Sequence, residues 1–70
     1  MKYSVIIEKG KDGYGAYVPD LPGCAAAAES KEEIVKLIHE AIEFHIDGLK
    51  EEGQEVPTPS TSIEVIEVAA

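Results

Sequence analysis

The sequence predicts a single α+β domain of β-β-β-α-β order: a mostly antiparallel four-stranded sheet with one long helix packed on one face. Three observations predict it. Short runs of period-two alternation open the chain at 2–9 and 14–18. A Ser-x-x-Glu box at Ser30–Glu33 starts a long stretch of helical periodicity. After two prolines, Pro57 and Pro59, a β-branched run closes the chain at 62–68.

The first strand is expected over Lys2–Lys9. Tyr3, Val5 and Ile7 share one face, with Ser4, Ile6 and Glu8 on the other. Gly10-Lys11-Asp12-Gly13 is a hairpin loop of residues that tolerate positive φ. The second strand, Tyr14–Val18, sets Tyr14, Ala16 and Val18 to one side and Gly15 and Tyr17 to the other. Pro19–Gly23 turns the chain. Cys24–Glu29 contains four alanines, which favour helix by propensity. The helix start at Ser30 argues instead for a third strand, whose small side chains let a helix approach closely.

The helix should run from about Lys31 to about Glu52. Its apolar residues, from Ile34 to Leu49, fill an arc of roughly 200°. A stripe facing one sheet needs little more than 100°. The surplus implies either a second contact, with a subunit or a partner, or a small sheet wrapped round the helix. Gly53 stops the helix, with Lys50 in its last turn. The fourth strand, Ser62–Val68, would complete a right-handed crossover.

Size and charge narrow the function. Seventy residues make one domain, and a chain this short buries only about 60% of its unfolded surface. Cys24 is the only cysteine, so no disulfide supports the core. A homo-oligomer, dimer or tetramer, is the expected extra source of stability. The net charge is -8, and all six bases are lysines. Without arginine forks or a basic patch, direct nucleic-acid binding is not expected. An acidic surface suits a basic partner, or simply keeps the protein soluble. No run reaches the ~18 apolar residues of a membrane span, and the N-terminus has no signal-peptide pattern, so a cytoplasmic location is expected.

Few residues suggest chemistry. His39 and His45 stand six apart on the helix and do not converge as a metal pair. His45, between Phe44 and Ile46, lies in the apolar arc. It is either a titrating residue at an oligomer interface, with its two neighbours, or a buried histidine held by a backbone carbonyl. Cys24 has no neighbour that would lower its pKa and reads as apolar filler. Glu8, Asp12 and Asp20 are the acids a magnesium-dependent nuclease would need, yet they occupy turn and surface positions where acids are common. No catalytic residue, metal site or cofactor is expected. Tyr17, Pro19, Leu21 and Pro22 make a rigid apolar patch beside Asp20. Such a patch either docks a partner with little loss of entropy or closes the end of the core.

One stretch carries a family resemblance: Gly-Tyr-Gly-Ala-Tyr-Val-Pro-Asp-Leu-Pro-Gly-Cys at 13–24, then Ser-Lys-Glu-Glu, then a helix ending Gly-Leu-Lys-Glu-Glu-Gly-Gln-Glu-Val-Pro-Thr-Pro. In this it resembles the HicB-like antitoxin family, over nearly the whole chain. The resemblance implies a truncated ribonuclease-H-like fold with strand order 3-2-1-4, the last strand parallel to the first. It implies a non-enzymatic domain that covers HicA, a small basic RNA-cleaving toxin with a double-stranded-RNA-binding-like fold. Many members of the family add a C-terminal helix-turn-helix or ribbon-helix-helix segment. Here the expectation is one domain over 1–70 without that DNA-binding segment. A stand-alone oligomeric domain with a structural or small-molecule role is the alternative, and a metal-dependent nuclease of the parent fold a further one.

Overall fold

A computed structural model describes residues 1–69. Strands β1 (Ile6–Lys9), β2 (Tyr14–Tyr17) and β3 (Ala25–Ala28) precede one helix, α1 (Lys31–Glu51). The sheet order is β1-β2-β3, antiparallel throughout. This matches the expected order for the first three strands. Each strand is shorter than its alternation suggested, because pairing requires a partner as well as a pattern.

Register sorts the two sheet faces. Ile7, Ala16 and Ala26 stand in one row and face the helix. Ile6, Tyr17 and Ala25 stand in the next row and face away. Among the described residues the six buried apolar ones are Ala16, Val18, Leu21, Cys24, Ile34 and Ile38. Tyr3, Val5, Ile7 and Tyr14 pack around them. The period-two split of both hairpin strands therefore holds. Gly13 shows why the hairpin needs a glycine: a Cβ there would lie 2.5 Å from the Ala28 carbonyl oxygen.

The helix start is as the Ser-x-x-Glu box predicts. The Ser30 side chain accepts from the Glu33 amide at 3.2 Å, and Glu32 and Glu33 sit in the positive first turn. At the other end Gly53 takes φ 71°. The Gln54 amide reaches the Leu49 carbonyl, and the Gly53 amide reaches that of Lys50. This double closure satisfies carbonyls that the ending helix would orphan.

One element differs from the expectation. Ser62–Val68 is not a strand: among the described residues the sheet has three strands, and the place beside β1 is unfilled. The parallel fourth strand and its crossover are corrected accordingly. A β-branched sequence supplies propensity only; a strand forms when another strand accepts its hydrogen bonds. Here the chain leaves the body after Thr61.

Candidate functional site

The segment after β2 is built from two successive turns. The Leu21 amide donates to the Val18 carbonyl at 3.1 Å, and the Cys24 amide donates to the Leu21 carbonyl at 3.0 Å. Pro19 and Pro22 each take the second position of their turn, where a fixed φ is pre-set. Gly23 follows Pro22 at φ 86°, the value a type II turn demands and side chains resist. The Val18 amide, donating to the Cys24 carbonyl at 3.1 Å, closes the loop.

This architecture divides the five patch residues. Leu21 is fully buried, one of the two largest side chains wholly removed from solvent, and serves as the plug of the core. Tyr17 is 44% exposed, and Pro19 and Pro22 are exposed on the turn beyond it. Asp20 is engaged at the surface by another segment of the same chain. Its carboxylate accepts from the Thr61 amide (3.0 Å) and hydroxyl (2.8 Å), and from the Ser60 amide (3.1 Å) and hydroxyl (3.0 Å). These donors stabilise the charged form, the Thr61 amide foremost, and hold Asp20 at a pKa of about 2. Two further bonds tie the same segment to the chain's start. The Tyr3 hydroxyl donates to the Pro57 carbonyl, and the Ser4 hydroxyl to the Thr61 carbonyl at 2.8 Å.

The Asp20 clamp was not legible in the sequence beforehand. The signal was present but faint: four of the six serines and threonines fall within 58–62. The open sheet face adds a contact that alternation alone did not reveal. Ile6 lies directly across from Tyr17, making an apolar pair on the side away from the helix.

The three consecutive helix residues Phe44, His45 and Ile46 do not form one surface. Successive residues are about 100° apart round a helix. Phe44 points outward, 81% exposed. His45 is half-buried. Ile46 packs toward the core and lines a hollow of about 410 Å³ with Met1, Tyr3 and Ile42. The helix packs on β3 and β2, so part of the 200° arc remains uncovered: Val35 on one flank, Leu37 and Phe44 on the other.

The remaining candidates stay apart. Glu8 and Asp12 border a shallow concavity at the β1–β2 turn, while Asp20 is committed to Ser60 and Thr61. Among the described residues no group of three or more His, Cys, Asp or Glu is placed to hold a metal ion. His39 lies 3.9 Å from Glu43 on the exposed side of the helix, a weak surface contact. Cys24 is buried, and burial raises its pKa, so the thiol stays protonated. Among the described residues no helix is long and apolar enough to cross a membrane.

Comparison with known proteins follows this geometry. The family described as "HicB_like antitoxin of bacterial toxin-antitoxin system" matches residues 3–69. An uncharacterized 14.9 kDa protein of Haemophilus phage HP1 is 46% identical over 57 residues, covering 81% of this chain and 43% of that protein. Antitoxin HicB 2 of Photorhabdus laumondii is 32% identical over 71 aligned positions, covering 100% of this chain and 51% of that protein. The chain thus spans about half the length of these two proteins. Among solved structures, a chain of a HicA3 and HicB3 toxin-antitoxin complex superposes with a TM-score of 0.74 at 35% identity, covering 86% of this chain and 70% of that one.

Proposed function

This chain belongs to the HicB-like antitoxin family of bacterial toxin-antitoxin systems, and on that basis we propose that it is a binding domain that occludes a small, basic, HicA-like RNA-cleaving toxin. The observation that carries this reading is the similarity to a chain of a HicA3–HicB3 complex. Charge supports it: at -8 the chain attracts a cationic partner and steers its approach. The surface offered is the open sheet face, where Tyr17 pairs with Ile6, together with Pro19 and Pro22 on the adjoining turns. Tyr17 is the anchor, a rigid aromatic that docks with little entropy loss. Asp20 and Leu21 contribute by holding that turn in shape. The domain acts by covering the toxin and carries out no reaction of its own, in the cytoplasm where its target cuts RNA. A homo-oligomer, dimer or tetramer, accompanies this role, with Phe44 available as an exposed contact.

Titration calorimetry against a basic HicA-like toxin tests the reading. The expected result is binding at or below micromolar concentration in moderate salt, with loss of RNA cleavage at one equivalent. Replacing Tyr17 with Ala should weaken binding by roughly tenfold or more, the cost of a hot-spot residue. Absence of binding at micromolar concentration would end the proposal.

A further inference from the structure

The outer-face pair of Ile6 and Tyr17 is the last rung of the β1–β2 ladder. Continued outward, that register sets Val5 against Val18 and Ser4 against Pro19. Hydrogen-bonded and non-bonded pairs alternate along an antiparallel ladder. The Val18 amide turns to the β3 side, where it donates to the Cys24 carbonyl at 3.1 Å. By alternation the Tyr17 amide faces β1, and the next bonded pair outward falls on Ser4 and Pro19. Proline has no amide to give, so the ladder stops at Ile6 and Tyr17. A third segment closes this open end. Thr61 touches both strands: its carbonyl accepts from the Ser4 hydroxyl at 2.8 Å, and its amide and hydroxyl donate to Asp20 at 3.0 and 2.8 Å. Ser60 adds its own amide and hydroxyl to the same carboxylate, and the Tyr3 hydroxyl donates to the Pro57 carbonyl. No residue of 57–61 is buried. This strap is held by polar bonds and not by apolar packing, so it can open while the core stays closed.

We propose that Thr61, with Ser60, is a positioning residue of the partner-binding face: the strap at 57–61 replaces the ladder rung that Pro19 forbids, and so fixes Tyr17 and Ile6 in the arrangement that receives the toxin. This role rests on the antitoxin reading. With the strap closed, the entry of β1 and the exit of β2 are joined through Thr61, and Tyr17 is held on both sides of its rung. With the strap open, the same pair is the fraying end of two strands. Tyr17 then loses the rigidity that lets an aromatic dock at little entropic cost. A toxin that binds the ordered face favours the closed strap, and by linkage the closed strap favours the toxin by the same factor. Pro57 and Pro59 fix φ at two positions of the strap, so little entropy is lost when it closes. Asp20 is the catch through which residues 40 positions away act on this face. Leu21 is different: buried in the core, it holds the turn whether the strap is open or closed.

The test uses the full chain and a basic HicA-like toxin. The double variant Ser60→Ala, Thr61→Val removes both hydroxyls from Asp20 and leaves Tyr17, Pro19 and Pro22 unchanged. In the free variant, hydrogen exchange at the Tyr17 amide should quicken by roughly fivefold or more, while exchange at Ile34 and Ile38 in the helix keeps the parent rate. Toxin affinity should fall by roughly fivefold or more, the lower end of ordinary coupling between sites. Thr61→Ser, which keeps the hydroxyl, should match the parent chain in both measurements. Parent-level affinity in the double variant would overturn the proposal. Weakened affinity with unchanged Tyr17 exchange would also overturn it, because the strap would then touch the toxin directly. Faster exchange throughout the helix would do the same, because the loss would be one of global stability. If the parent chain binds no toxin, the antitoxin reading fails by itself, and Tyr17 exchange in the free variant still decides whether the strap orders that face.

Discussion

At the scale of single residues, Asp20 shows how a charge can be structural. Its side chain is surrounded by four donors from Ser60 and Thr61, two of them backbone amides. The pKa falls from the ordinary 3.8 to about 2. A folded-state value below the unfolded one means that the clamp's stabilisation is complete above about pH 4. It is then lost as pH falls through about 2. The Thr61 amide resonance should therefore titrate with a midpoint near 2, and Asp20→Ala should abolish the titration and speed amide exchange at 60–61. A midpoint at the ordinary carboxylate value would refute the clamp. Leu21 is the second instructive residue. Its sequence neighbours, two prolines and an acid, mark a surface turn, yet its side chain is wholly buried. Leu21→Ala should cost about 2–5 kcal/mol in urea unfolding, the range for truncating a buried leucine. That is a large share of the stability a domain of this size has, and a cost under about 0.5 kcal/mol would contradict its placement in the core.

At the scale of elements, the helix was readable almost to the residue and the last strand was not. Helix ends are decided locally. Ser30 and Glu33 are three residues apart, and Gly53 supplies a left-handed residue where the chain must leave. Ser30→Ala should cost about 1 kcal/mol, seen as a lower urea midpoint with an unchanged slope; no change would mean that the cap contributes nothing. The third strand also followed from a local boundary, since a helix beginning at Ser30 leaves the alanine run on the sheet side of the break. Sheet neighbours carry no such local signature. Ile63, Val65, Ile66 and Val68 read as a strand from their side chains, but nothing in those residues says which edge receives them. The same gap hid the pairing of Ile6 with Tyr17: alternation assigned each residue to the outer face and left their register open.

At the scale of the molecule, the sheet and helix enclose a core of six buried residues among those described, with apolar surface left over on both helix flanks and along β1. The breadth of the helix's apolar arc left two readings open, a second contact or a small sheet wrapped round the helix. The structure locates the surplus at Val35, Leu37 and Phe44 and in the trough beside β1. Of the proposed partner surface, Tyr17, Pro19 and Pro22 remain accessible, whereas Asp20 and Leu21 maintain the turn that presents them.

The sequence by itself determined the α+β class, the hairpin faces, the helix limits, a turn at Pro19–Gly23 and the acidic character, because each depends on residues within a few positions of one another. Tertiary structure alone decided that Asp20 grips Ser60 and Thr61 across 40 residues, that Leu21 turns inward, and that 62–68 leaves the sheet. These depend on which distant groups meet, and meeting is governed by the packing of the whole chain, which no local pattern encodes.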